Sequence, residues 1–442
     1  MITSQAALPP DEYAPTHQAG RARTIAAVTV GNALEAFDFT VYTFYAILIG
    51  KLFFPAADPT NQLLLSIATF GVGFVVRPLG GIVMGSYADR RGRKAAMSLT
   101  ILLMGAGCLM IGLAPTYGMV GIVAPLAIVA ARLLQGFSAG GEMGAAVTLL
   151  VENGTPRDRS FLASWFVASQ GLGIMCGAAL AAGLAFWLSP AALESWGWRI
   201  PFLLGVAIVP VGLYIRRHLP DTLSAVNERT PRANAGRAQP LREVLRHHKR
   251  EVAWGVLLIM GSTVSAYLLL HMPTYGMREL GLPAASALLA GIASSGMSVL
   301  AAPVAGKLAD RWGRTPMILA ARCASIAIIY PCFLWLAANR TLPVLLLVVS
   351  ALSLLYTLHA VPALTMLAEM MARQVRATGT SVATSIGLSL FGGTTQLFVV
   401  WLISVTGSAV SPAFFLMAAL GLSLLPLAAI RDRTGQRLDA PV

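Results

Sequence analysis

The sequence has little charge. Asp, Glu, Lys and Arg make up 12% of its 442 residues, about half of the roughly 25% found in soluble globular chains. So little polar surface excludes a soluble enzyme and a disordered protein. Cysteine is also scarce. The four present, Cys108, Cys176, Cys323 and Cys332, all lie inside apolar runs, which excludes a disulfide framework and offers no metal-ligand spacing. Acidic residues number 19 against 32 basic ones, a net charge of +13. The basic residues fall in short segments between apolar runs, the habit of a membrane protein rather than of a nucleic-acid binder.

Apolar residues are abundant, at 56%, and mean hydropathy is +0.71. The bilayer is the natural solvent for such a chain. The first twenty residues are polar and contain proline, unlike a cleaved signal peptide, so the first apolar segment is expected to remain as a membrane helix. A bilayer core of about 30 Å takes about 20 helical residues. Twelve candidate spans follow, near 24–50, 63–87, 95–114, 119–150, 161–187, 200–216, 252–276, 286–309, 316–336, 343–368, 377–405 and 411–430. The predicted fold class is an all-α integral membrane protein.

Loop charges set the orientation. With the N-terminus inside, the inner segments hold Arg21, Arg23, the cluster 90–94, Arg157, Arg159, the basic stretch 216–250, Lys307, Arg311, Arg314, Arg373, Arg376 and the basic tail. The outer loops hold Lys51, Arg199, Arg278 and Arg340. This asymmetry places both termini in the cytoplasm. Segment 217–250 has no apolar run and reads as a linker. The predicted organisation is a cytoplasmic segment 1–19, a six-helix bundle 20–216, the linker 217–250, a second bundle 251–432 and a tail 433–442.

The two bundles repeat each other. Gly85, Asp89, Arg90, Gly92 and Arg93 follow span two as G-x-x-x-D-R-x-G-R. Gly306, Asp310, Arg311, Gly313 and Arg314 follow span eight in the same pattern, 221 positions later. Glu152 and Arg159 bound the loop after span four, and Glu369 and Arg376 bound the loop after span ten, offset by 217. Two parallel halves about an axis normal to the membrane are a transporter architecture. The acidic residue of the loop can accept from the following Arg and from helix N-terminal amides, making a cytoplasmic latch; plain inside anchoring is the simpler alternative.

The repeated loop resembles the signature of the major facilitator superfamily. Gly31, Glu35 and Asp38 in span one, Arg77-Pro78 with Gly80-Gly81 in span two, Arg132, Gln135, Gly136, Gly140, Gly141 and Glu142 in span four, and Trp196, Trp198, Arg199 and Pro201 before span six resemble the metabolite:proton symporters. The run is most similar to citrate and tricarballylate proton symporters. The resemblance implies a twelve-helix major facilitator fold with pseudo-two-fold symmetry, a central cavity lined by spans one, four, seven and ten, and alternating access.

Five ionisable residues lie deep in predicted spans: Glu35, Asp38, Arg77, Arg132 and Glu142. Lipid exposure would cost about 2.5–3.5 kcal/mol each, so together they rival the whole stability of a protein, about 5–15 kcal/mol. They are expected to pair or to line a wet interior. At about 1.5 Å per residue, Arg77, Arg132 and Asp38 fall near the midplane. Glu35, Asp38, Tyr42 and Tyr45 form one helical stripe, and Arg132, Gln135 and Glu142 another; both are read as facing the cavity.

Two buried arginines suit a carboxylated substrate, because a guanidinium fork binds carboxylate bidentately. Each could equally be the standing partner of Glu35, Asp38 or Glu142. Substrate contacts are expected from Arg77, Arg132, Tyr42, Gln135, Tyr267, His271, His359 and Gln396, although a histidine in a helix is also an ordinary packing residue. The proton carrier is expected to be Asp38, then Glu35, then Glu142. Gly85, Asp89, Arg90, Gly92, Arg93, Asp310, Arg311 and Arg314 form the expected gate. Arg322 is expected to snorkel to the inner surface.

The expected function is uptake of a small organic di- or tricarboxylate with protons. The alternative is proton symport of 2-oxoglutarate, shikimate or a zwitterionic osmolyte. No enzyme activity, metal, cofactor or nucleic-acid partner is expected. The partners are a small organic anion, protons and the lipid bilayer. The chain is read as a monomer in a bacterial inner membrane.

Overall fold

A computed structural model of the chain describes residues 18–56, 58–91, 93–140, 142–218, 240–372, 375–436 and 438. The described residues form twelve helical spans. In chain order they are α1 (Gln18–Phe44 continued by Ala46–Phe53), α2 (Pro59–Arg91), α3 (Arg93–Leu113), α4 (Val123–Ala139 continued by Glu142–Glu152), α5 (Arg159–Trp187) and α6 (Arg199–His218). The second half comprises α7 (Lys249–Arg278), α8 (Ala284–Trp312), α9 (Arg314–Ala338), α10 (Leu342–Met370), α11 (Arg376–Thr406) and α12 (Ser411–Leu422 continued by Leu425–Ala429). Among the described residues nine helices are long and apolar enough to cross a bilayer, and α1, bent by 60° at Tyr45, makes a tenth. α3 and α6 complete the twelve. A short helix, Pro240–His247, lies inside the predicted linker.

Glycine sets how closely the helices approach. A Cβ on Gly136 would overlap the carbonyl of Gly73, and one on Gly140 would overlap that of Arg77. The Arg77 motif of α2 and the Arg132 motif of α4 therefore meet backbone to backbone, as membrane helices do where small residues face each other.

The two halves meet along two seams. α5 packs on α8 at Phe161 against Gly306, at Gly171 against Ser295 and at Ala178 against Gly291. α2 and α4 pack on α11, with Gly71 against Gly393 and Gly144 against Ser381. Beside Gly393, α11 carries a π-helical turn, Leu388–Gly392. Ser389 there donates to the Phe74 carbonyl at 2.6 Å. π-turns interrupt the regular helical ladder and recur at functional sites.

Arg322 does not snorkel. It is fully buried and donates to the carbonyls of Ser423 and Leu258, each at 2.5 Å. The cause is the break in α12. Pro426 lacks an amide proton, and the Leu427 amide bonds Leu424 rather than Ser423. The Ser423 carbonyl is thereby left for Arg322.

Candidate functional site

An aromatic wall stands between the two buried arginines and the second half. Phe39 and Tyr42 of α1 and Phe70 and Phe74 of α2 pack together. Tyr267 of α7 meets Phe70 at 6.3 Å and Phe74 at 5.4 Å between ring centres. The guanidinium of Arg77 lies 4.3 Å from the Phe74 centroid and 4.6 Å from that of Phe39. That of Arg132 lies 3.7 Å from Tyr42 and 5.0 Å from Phe70. Each contact of this kind supplies on the order of 0.5–2 kcal/mol, part of what water would otherwise supply.

The arginines keep unspent donors. Glu35 lies 3.7 Å from Arg77, a loose pair. Nε of Arg77 and both Nε and Nη2 of Arg132 have no acceptor among the described residues. Unpaired buried donors are costly, and this geometry leaves them available for a planar anion.

A polar chain runs away from Arg132 into the first bundle. Nη1 of Arg132 donates to Oε1 of Gln135 at 2.7 Å, and Nε2 of Gln135 donates to Sγ of Cys108 at 3.1 Å. The Cys108 sulfur and the Asp38 carboxyl meet beside Gly205 of α6. Cys108 is a link that sequence reasoning missed. Its signal was its place in an apolar span at the depth of Asp38.

A central cavity of about 80 Å³ lies between the halves. α1 and α5 supply Phe39, Thr40 and Gln170, and α7, α8 and α10 supply Tyr267, Ser294, Ser298, Ser353 and Tyr356. Of the residues expected to contact substrate, Tyr267 lines it. Arg77, Arg132, Tyr42, Gln135, His271, His359 and Gln396 do not line this cavity. In α1 the cavity face is Ala36, Phe39, Thr40 and Phe44, whereas Asp38 and Tyr42 face their own bundle. In α7, residues four apart drift about 40° per step at 3.6 residues per turn, so Tyr275 has turned into the second bundle, where it donates to Ala409. His271 is buried there too, and Nδ1 of His359 lies 3.2 Å from Ser262 Oγ. Glu142 is half-buried at the start of the second segment of α4.

At one end of the seams the repeated acidic and basic residues pair crosswise. Arg159 bonds Glu369 at 3.1 Å, and Arg376 bonds Glu152 at 3.0 Å. The residues that correspond by the 217 offset thus exchange partners across the pseudo-two-fold axis. Glu369 also holds Arg314 at 3.2 Å, and Arg314 holds Asp310 at 3.1 Å. Asp310 accepts the Ser160 and Phe161 amides at 3.0 and 2.9 Å, so the second signature loop caps the N-terminus of α5. Main-chain carbonyls of the tail complete the clasp, Gln436 on Arg159 and Leu438 on Arg376. Arg311 is exposed. Gly92 and the side chains of Asp89, Arg90 and Arg93, with the surroundings of Gly85, lie outside the described residues.

Known proteins agree with this architecture. Residues 28–395 match the Major Facilitator Superfamily. A citrate-proton symporter of Klebsiella pneumoniae is 36% identical over 95% of this chain and 95% of its own. One from Salmonella typhi is 35% identical over 91% and 92%. A proline/betaine transporter of Escherichia coli is 32% identical over 94% and 84%. Among solved structures, the proton:xylose symporter XylE superposes with a TM-score of 0.75 at 15% identity, over 95% of this chain and 98% of that one. The chain is a multi-pass membrane protein and belongs to the major facilitator superfamily, among its metabolite:proton symporters.

Proposed function

We propose that this protein takes up a small organic di- or tricarboxylate, of the citrate or tricarballylate kind, together with protons. The observation that carries the reading is the pair of buried guanidinium groups at the aromatic wall with donors left unspent. The resemblance to two citrate-proton symporters along nearly the whole chain supports it. Among the described residues, the cavity lining contributes no carboxylate to repel an anion.

The bundles 20–216 and 251–432 rock about the cavity, exposing it to each side in turn. The aromatic wall parts as they move, and a substrate carboxylate reaches Arg77 and Arg132. Glu35 then gives up its contact with Arg77 and takes up a proton, because a partly desolvated carboxylate is more easily protonated once a neighbouring cation is drawn away. Asp38 senses the same event through Cys108 and Gln135. Each net charge moved against 100 mV costs about 2.3 kcal/mol, so protons must accompany a multiply charged anion. The clasp at Arg159 and Arg376 is the inner gate, the termini are cytoplasmic, and the protein acts as a monomer in a bacterial inner membrane.

A zwitterionic osmolyte is the second reading, favoured by the relatives at 32% identity and by aromatic faces that attract quaternary ammonium. Guanidinium groups already occupy the faces of Phe39, Phe74 and Tyr42, which weighs against it. Uptake of labelled citrate, tricarballylate, 2-oxoglutarate, shikimate and betaine into proteoliposomes under an imposed pH gradient decides. Citrate or tricarballylate uptake lost in Arg132→Ala is expected. Betaine uptake indifferent to that substitution would refute the carboxylate reading.

A further inference from the structure

The second-half wall of the cavity is built from hydroxyl groups. Gly291, Ser294, Ser295 and Ser298 share one face of α8, and three of them are serines lining the cavity. Ser353 of α10 lines it beside them. Counting about 1.5 Å per residue from the helix starts, Ser298 and Ser353 lie about 20 Å and about 17 Å along their helices, near the middle of the membrane.

These hydroxyls are linked in one direction. Ser353 Oγ donates to the Ser294 carbonyl. Ser298 Oγ lies 2.9 Å from Ser353 Oγ. Because the Ser353 proton is already committed, Ser298 must be the donor of that pair. Thr357 Oγ1 lies 3.1 Å from Ser298 Oγ and 2.8 Å from the Ser353 carbonyl, so its proton is spent as well. Each hydroxyl has one proton and two lone pairs. With the protons used inside the wall, acceptor capacity is what remains to offer the cavity.

We infer that the Ser298–Ser353 pair is a specificity element that recognises an O–H donor on the substrate. The cavity is thereby divided by function. Once the aromatic wall parts, the first half presents donors, on Arg77 and Arg132, to carboxylates. The second half presents acceptors, which leave a carboxylate unsatisfied and welcome an alcohol or a protonated carboxyl. The favoured substrate is accordingly a hydroxy acid. This inference rests on the proposed transport of carboxylates and adds which member of that class is preferred.

The test is competition by unlabelled acids against labelled citrate in proteoliposomes, using two matched pairs that differ by one alcohol: citrate with tricarballylate, and malate with succinate. In the wild type the hydroxylated member should compete better by roughly 2- to 10-fold, the worth of one neutral hydrogen bond. Ser353→Ala and the near-isosteric Ser298→Cys should bring that ratio to about 1 while the protein still transports. An alcohol does not titrate, so its advantage should be the same in mildly acidic and neutral buffer. If the donor is instead a protonated carboxyl, both members of a pair weaken equally in the variants, and only in acidic buffer; that outcome overturns the preference for a hydroxy acid. A wild type that carries acids without preference, or a preference and acid response that survive both substitutions, overturns the inference and leaves carboxylate transport standing. A wild type that carries no acid overturns both.

Discussion

The guanidinium carbon of Arg132 lies 3.7 Å above the ring of Tyr42, and Tyr42 donates its own proton to the Ser66 carbonyl at 3.1 Å. The ring is thus fixed by α2 while its face holds a cation of α4. A planar guanidinium fits this stack, and a lysine ammonium does not present the same fork. Arg132→Lys should therefore keep the charge and lose affinity. We expect the KM for the transported acid to rise roughly 10- to 100-fold, the worth of a charged hydrogen bond. Initial rates of uptake across a concentration series measure it.

Cys108 stands between Gln135, from which it accepts a hydrogen bond, and Asp38, which it meets beside Gly205. A serine at 108 preserves a donor and an acceptor, and an alanine preserves neither. Cys108→Ser should stay within about 3-fold of wild-type uptake, whereas Cys108→Ala should fall about 10-fold and change its dependence on external pH. Uptake rates measured across a pH series separate the two; equal behaviour of both variants would remove Cys108 from the coupling route.

Glu369 holds two buried arginines, Arg159 at 3.1 Å and Arg314 at 3.2 Å. Removing one partner of a buried ion pair costs about 3–5 kcal/mol. If the clasp is the proposed inner gate, that cost falls on its closed state, because the pair to Arg159 spans the two halves. Glu369→Gln should shift the protein toward the state open at this end. Ser160, fully buried beside the clasp, reports the shift: in a Ser160→Cys background, alkylation should speed up at least about 10-fold when Glu369 is replaced.

Asp432 anchors the tail to α9. It accepts the Thr315 amide at 2.8 Å and the Thr434 amide at 2.9 Å. Burial works to raise its pKa, but the hydrogen bonds from Thr434 and Thr315, with Arg314 nearby, outweigh it and hold the carboxyl below its ordinary 3.8. A folded pKa below the unfolded one means that stability is present above 3.8 and lost as pH falls through the lower folded value. The difference in thermal unfolding between wild type and Asp432→Asn should be full near neutral pH and should close in acid. Thermal shifts in detergent at a series of pH values measure it.

The sequence made the spans legible because apolar runs of about 20 residues have few other solutions, and the repeat was legible because two motifs share nearly one offset. What it left open was direction. The stripe Glu35, Asp38, Tyr42 reports a common face but not which neighbour that face meets. Small residues at Cys108 and Gly205 admit Asp38 into its own bundle. The crosswise pairing of Arg159 with Glu369 follows from two-fold geometry, which brings corresponding residues together at the axis. Arg322 was misread because the carbonyl it satisfies exists only where α12 breaks. The serines of α8 gave no single-residue signal at all, since a lone serine in a membrane helix satisfies itself on its own backbone.

Proton movement coupled to acid entry is the most direct measurement. Proteoliposomes loaded with a pH-sensitive dye and held at equal pH on both sides should acidify inside when citrate or tricarballylate is added outside, and should not respond to betaine. Arg132→Ala should abolish the response. Acidification driven by betaine, or none with any acid, would contradict the account.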